Sequence, residues 1–333
     1  MKRKNRPRVS DLINELAIAS MESRQYEAAL EQFQKAAQLK PSTQSLTNLA
    51  YFYYNEGVPT GDGAWEIKEQ EAIQLLESVI QRKPRSHFPY SLLGQIYITE
   101  KQFDKATAVL LQAVSLKPIQ PNLNNLGVCY YNQHRWSEAA DCFKKAHLKR
   151  NRGDSLSPLL SYGVCLAKLG FYENARDTAN QLLLYNQELK DDSIENIEDE
   201  IAYIFYMLDD YKRFAEIYSK LNLNHYAVEW FPPYFYALWK SEGTRNLENV
   251  SDDLIRHKKE EFQEALQDDD DNWEPGRRLE YMDEIQQDID FIKTHVDRIK
   301  SGVRPELDYE PPIETGCYLF GCRRHNHPTY TDD

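Results

Sequence analysis

The sequence is short of cysteine, of net positive charge and of long apolar runs. Five cysteines in 333 residues, three of them inside helix-like patterns, do not make a disulfide framework, so reduced thiols are expected. Asp and Glu outnumber Lys and Arg by 53 to 40, a formal net charge of −13. That balance argues against nucleic acid as a partner, because phosphate backbones call for clustered Lys and Arg. No stretch approaches the roughly 18 uninterrupted apolar residues of a membrane span. The basic start MKRKNRPR runs into VSDLINELAIAS, whose charges break any signal-peptide core. The expected address is therefore the cytoplasm, without a membrane partner. A Gly-rich phosphate loop, a G-x-S-x-G elbow and an H-E-x-x-H pair are all missing, so no catalytic residue is assigned and no enzyme is expected. The letters HNH at 325–327 carry no weight, since the nuclease residues of that name are not contiguous.

At 333 residues the chain exceeds one ordinary core and reads as two domains or a repeat array. Residues 87–118 place Gly94, Ala106 and Ala113 among the larger Leu93, Tyr97 and Leu110, and end at Pro118. The same spacing returns as Leu16, Ala17, Ala29, Phe33, Ala36 and Pro41, and a further copy, with about ten extra residues between its halves, runs through Leu49, Ala50, Tyr53, Ala72, Leu76 and Pro84. It continues through Leu126, Gly127, Tyr130, Ala139, Phe143 and Ala146, and through Tyr162, Gly163, Leu166 and Ala175. A degenerate sixth copy runs through Ile201, Ala202, Phe205, Tyr211 and Tyr218, with Phe214 where a small residue is expected. Small residues on two helices let their backbones approach, aromatics fill the space beside them, and proline stops the second helix.

This pattern, at a period of about 34 residues, resembles the tetratricopeptide repeat. The resemblance implies an all-α fold: a right-handed superhelix of five to six helix pairs over residues 10–221, without sheet, closed by a helical C-terminal cap or hairpin and a short irregular tail. It also implies a concave wall built by the first helix of each pair. Carried onto this sequence, the wall positions are Asn48, Tyr51, Tyr54 and Asn55, then Ser91, Leu92 and Gln95, then Asn124, Asn125, Tyr131 and Asn132. NLAYFYYN (48–55) and NLGVCYYN (125–132) share one register, in which Tyr53 and Tyr130 belong to the core while Tyr54 and Tyr131 face the groove. An amide offers a donor and an acceptor together, which suits the backbone of an extended peptide; the alternative is that these asparagines simply solvate a helix face. The family's carboxylate clamp for chaperone tails does not fit, because its positions here hold Asn14, Ile18, Asn48, Phe88 and Leu92. A chaperone C-terminal tail is not an expected ligand.

Around the array, residues 1–9 read as a basic disordered start that either frays or steers an acidic partner. The insertion NEGVPTGDGAW in the second copy reads as a loop, overhanging the groove or passive. Residues 222–245 turn aromatic, with Trp230, Phe231, Tyr234, Phe235 and Trp239, and read as a cap. Residues 246–302 read as an acidic helical hairpin turning at DDDDNWEPG. One helix carries a stripe of Met282, Ile285, Ile289, Ile292, Val296 and Ile299, the other a weaker stripe of Val250, Leu254, Phe262 and Leu266. In the tail, 303–333, Cys317, Cys322, His325 and His327 fall within eleven positions, with Gly316 and Gly321 where the chain must bend. These four are candidate ligands of a structural zinc, against the alternative of a docked tail with exposed histidines; no other cofactor is expected. The function expected is a scaffold binding a protein or extended peptide in the groove. The alternative is an immunity or regulatory protein that neutralises a basic partner, such as a toxin nuclease, through the acidic third.

Overall fold

The computed structural model describes residues 9–61, 63–151, 154–189, 197–221, 223, 226–267, 273 and 276–330. Residues 1–8 of the basic start and all but Trp273 and Gly276 of the DDDDNWEPG turn lie outside them. The chain divides into two compact units. One comprises residues up to Pro158 together with the chain from Pro311 onward, the other Leu159–Glu310.

The first unit contains four helix pairs: α1 (Val9–Glu22) with α2 (Tyr26–Leu39), α3 (Thr43–Asn55) with α4 (Glu69–Ile80), α5 (Phe88–Thr99) with α6 (Phe103–Leu116), and α7 (Gln120–Asn132) with α8 (Trp136–Leu148). The small residues that carry the repeat are where helices cross. Ala29, Ala36, Ala106, Ala113, Ala139 and Ala146 are fully buried. A Cβ on Gly127 would lie 2.7 Å from the ring of Phe143, so nothing larger than glycine fits this crossing.

The turn inside each uninterrupted pair repeats a backbone device that the residue types do not advertise. Arg24, Lys101, His134 and Asp209 adopt φ of 56–60°, and Gly170 occupies the equivalent place at 80°. In each case the next N–H closes on the carbonyl five residues back, as in Gln25 to Ser20 at 2.8 Å and Arg135 to Tyr130 at 2.9 Å. This is the left-handed helix ending that satisfies otherwise orphaned carbonyls.

The expectation of no sheet is corrected at one place. The insertion in the second repeat forms a minimal hairpin of β1 (Val58–Pro59) and β2 (Trp65–Glu66), pairing Val58 with Glu66 and Pro59 with Trp65. Trp65 lays its ring 6.1 Å from Tyr26 and 6.3 Å from Phe52, so the insertion is packed down on its neighbours.

The second unit holds α9 (Ser157–Lys168), α10 (Tyr172–Leu189), α11 (Glu198–Met207), α12 (Tyr211–Tyr218), α13 (Phe231–Glu242), α14 (Thr244–Gln267) and α15 (Arg277–Lys300). Phe214, where the repeat would have a small residue, is fully buried. Its ring stacks 4.4 Å from Tyr218, which stacks 5.5 Å from Tyr234 of α13, so aromatics hold these helices where alanines hold the others. Helices α14 and α15 run antiparallel: Arg278 donates from Nε to the Ala265 carbonyl at one end (2.6 Å), and Lys300 pairs with Glu248 at the other (2.5 Å). The α15 stripe from Ile285 to Ile299 is buried as expected, with Met282 half-buried. Of the expected α14 stripe Leu254 is buried and Val250 and Phe262 are half-buried, but Leu266 stands half exposed, and Leu247, Ser251 and Ala265 are buried beside them.

After α15 the chain is extended. Arg304 crosses the Tyr206 ring at 5.0 Å, the Tyr206 hydroxyl donates to the Pro305 carbonyl (2.8 Å), and the Tyr309 and Ser161 hydroxyls lie 2.8 Å apart. From Pro311 the tail belongs to the first unit.

Candidate functional site

The first helices of the repeats project buried amides, and the tail lies on them. Asn48 of α3 donates from Nδ2 to the Phe320 carbonyl (2.9 Å) and accepts the Phe320 N–H at Oδ1 (2.8 Å). Asn125 of α7 repeats the arrangement on Glu314, with 2.8 Å to its carbonyl and 2.8 Å from its N–H. Asn124 adds a bond to the Pro312 carbonyl at 2.8 Å. Each of the two register-matched asparagines thus satisfies both backbone groups of one residue of an extended segment, as a neighbouring strand would. The tail runs against the repeat order, from the fourth pair back to the second.

Side chains add to the backbone bonds. Phe320 is 2 % exposed, its ring 4.8 Å from Phe88 and 5.2 Å from Tyr330. The Tyr330 N–H donates to Gln44 Oε1 (2.6 Å), and its hydroxyl accepts from the Arg85 N–H (3.0 Å). Glu314 sits beside Gln120 Nε2 at 3.4 Å, and burial pushes its carboxyl above the usual range, with the charge of Asp154 acting the same way. His87, buried edge-on against Phe88, is held down to about 4, first by burial and then by Lys117 and His327.

Other expected groove residues do different work. Tyr54 places its hydroxyl 3.4 Å from that of Thr99. Asn55 and Asn132 turn back to their own helices, donating to the Tyr51 and Val128 carbonyls at 2.8 and 2.9 Å. Ser91 donates to Asn122 (2.6 Å) within a buried knot that includes His87. Gln95 is buried with its Oε1 unpartnered. Tyr131 is buried against Trp136 of α8 at 4.8 Å. Gln44, Gln120 and Phe88 touch the tail but were not among the expected groove residues.

Three of the four candidate metal ligands converge. Cys317, Cys322 and His325 place one ligand atom each within 4.8 Å of one another, and Cys322 Sγ lies 3.3 Å from His325 Nδ1. The Tyr51 hydroxyl lies within hydrogen-bonding reach of the Cys317 thiol, which burial pushes up to about 11. His327 is not in this group. Its Nδ1 is 3.0 Å from the Leu319 carbonyl and its ring packs 4.8 Å from Phe88. Of the two glycines, Gly321 takes φ +83° and a Cβ there would sit 3.1 Å from Ile18, whereas Gly316 needs no left-handed backbone.

Two adjacent stretches, residues 89–120 and 121–151, match models of the tetratricopeptide repeat family. The chain carries tetratricopeptide repeats. No curated protein matches it by sequence. Among solved structures, a tetratricopeptide repeat protein from Parabacteroides merdae is similar with a TM-score of 0.53 at 15 % identity, over 85 % of this chain and 98 % of that one. PilF of Pseudomonas aeruginosa gives 0.46 at 17 % identity, over 73 % and 97 %, and MamA gives 0.46 at 15 %, over 56 % and 96 %. At 15 % identity the likeness to the Parabacteroides merdae protein is one of fold. Among the described residues no helix of this repeat protein is long and apolar enough to cross a membrane.

Proposed function

We propose that the chain is a protein-interaction scaffold whose first-helix groove reads an extended peptide through paired asparagine amides, and that its own tail occupies that groove as a stand-in for the partner. The observation that carries this is the double bond set of Asn48 on Phe320 and of Asn125 on Glu314. Two amides in equivalent repeat positions, each matched to the N–H and C=O of one residue, are what backbone readout requires; a merely solvated face would leave them pointing at water. A partner would present the tail's features: an extended run, an acidic residue at the Asn125 clamp, and an aromatic six residues later for the Phe88 pocket.

A fluorescent peptide spanning residues 309–330 tests the reading in trans. The unaltered chain is expected to bind it poorly, because its own tail competes. A Phe320→Asp chain, with the tail dislodged, is expected to bind it well, and adding Asn48→Ala and Asn125→Ala is expected to abolish that binding with little change in melting temperature. Binding that persists without both amides would sink the proposal. The neutralising alternative is not favoured by the charges of α14 and α15, many of which are paired among themselves, as in Lys258 with Glu261 and Asp288 and Arg277 with Glu284.

A further inference from the structure

We infer that Cys317, Cys322 and His325, closed by Glu22 of α1, form a structural zinc site that clips the tail to the first repeat. The geometry is close to what the metal needs. Zinc–sulfur and zinc–nitrogen bonds of about 2.3 and 2.1 Å at tetrahedral angles put neighbouring ligand atoms about 3.6 Å apart. Cys322 Sγ is 3.3 Å from His325 Nδ1 and 3.8 Å from Glu22 Oε1, and Cys317 Sγ falls within 4.8 Å of the other two tail ligands. Glu22 stands outside the three-residue set, so its carboxylate would have to swing in from beside Cys322 to complete the four.

The backbone prepares the site without help from a metal. Residues 322–327 fold on themselves through His327 N–H to the Cys322 carbonyl (2.9 Å) and Asn326 N–H to the Arg323 carbonyl (3.2 Å). Gly321 N–H closes on the Pro328 carbonyl at 3.1 Å, and Gly321 and Asn326 supply left-handed residues. This knuckle sets Cys322 and His325, three residues apart, side by side. Glu22 is aimed by the Arg323 N–H, which donates to its Oε1 at 3.1 Å, and Arg324 donates to its backbone carbonyl at 2.6 Å. Such orientation of ligands by outer groups is what tuned metal sites show. The Tyr51 hydroxyl stands ready to donate to a Cys317 thiolate. Neither Cys317 nor Cys322 is in a disulfide, and two thiolates, an imidazole and a carboxylate are a donor set that selects zinc over the hard cations.

The site's consequence rests on the groove reading. Cys322 lies two residues beyond Phe320, so a metal joining it to Glu22 holds Phe320 on Asn48 and keeps the groove filled. Elemental analysis of the full chain, purified without a metal-binding tag under reducing conditions and dialysed, is expected to find about one zinc per chain. Cys322→Ser and His325→Ala should fall to background, Glu22→Gln should bind zinc at least about tenfold more weakly, and His327→Ala should retain it. Cobalt(II) in place of zinc should give a thiolate charge-transfer band that Cys317→Ser reduces. Circular dichroism confirms that each variant is folded, and the exposed His325 provides a variant that leaves the core untouched. Metal-free wild type with no cobalt band overturns the site, as does zinc undiminished in both Cys322→Ser and His325→Ala. Metal content is read without any peptide, so its outcome is independent of whether the groove binds one. A chelator that leaves the 309–330 probe excluded while removing the zinc would overturn the clip alone.

Discussion

Asn48 and Asn125 make the same pair of bonds to the tail, yet they work in opposite surroundings. At Asn48 the clamped residue is Phe320, enclosed by Phe88 and Tyr330 and 2 % exposed. At Asn125 it is Glu314, a half-buried carboxylate beside Gln120 and Asp154. The shared amide sets which residue of the tail lies at each repeat; the surroundings set how tightly it is held. The same bond inventory therefore predicts unequal anchors, since a bond made away from water cannot be replaced by water when it is lost.

The sharpest break is Phe320→Ala. Removing a fully buried aromatic costs about 3–5 kcal/mol, and this loss is expected to release the tail before the helices melt. Hydrogen exchange should then show the Phe320 and Glu314 amides unprotected while the amides of α3 and α7 stay protected; equal release by Glu314→Ala would break the comparison. Asn48→Ala comes next. It strands a buried N–H and a buried carbonyl, each worth about 1–3 kcal/mol, and should lower tail protection by at least tenfold. Asn125→Ala is expected to cost about 1 kcal/mol, because water reaches Glu314 in its place.

The smallest effect is a divergence with pH. His87 and His327 are held below the ordinary value of 6.5, chiefly by burial. A depressed value means that the docked state favours the neutral ring, so stability is lost as pH falls from 6.5 toward the His87 value of about 4. Glu314 is raised above its ordinary 4.5, so the docked state favours the protonated acid and gains stability as pH falls through that raised value. Acidification from 7 to 5 should lower the protection factor of the Phe320 amide and leave that of Glu314 unchanged or higher. A parallel fall at both would show that the tail docks as one piece.

The repeats were legible because a helix crossing accepts only small residues, and Gly94, Gly127 and the alanines leave no other reading. The two clamps were legible as a shared register for the same reason. What they hold was not, since the tail has no periodicity and its contacts lie hundreds of positions away. The left-handed turn residues Arg24, Lys101, His134 and Asp209 share a conformation but no chemistry, so they leave no trace in a sequence. His327 looked like His325 in the chain; the Leu319 carbonyl separates them. Tyr54 and Tyr131 occupy equivalent places, but Trp136 draws only the second into the core.

The separation of Asn48 from Phe320, 272 positions, also measures time. Helix pairs form from neighbouring residues and can fold as they leave the ribosome, whereas the tail is made long after them. At about 5–20 residues per second, roughly 15–50 s pass between synthesis of the clamp and synthesis of its occupant. On the proposed groove reading, a partner present during that interval would meet no competitor, and one that arrives later would have to displace a segment tethered at high local concentration.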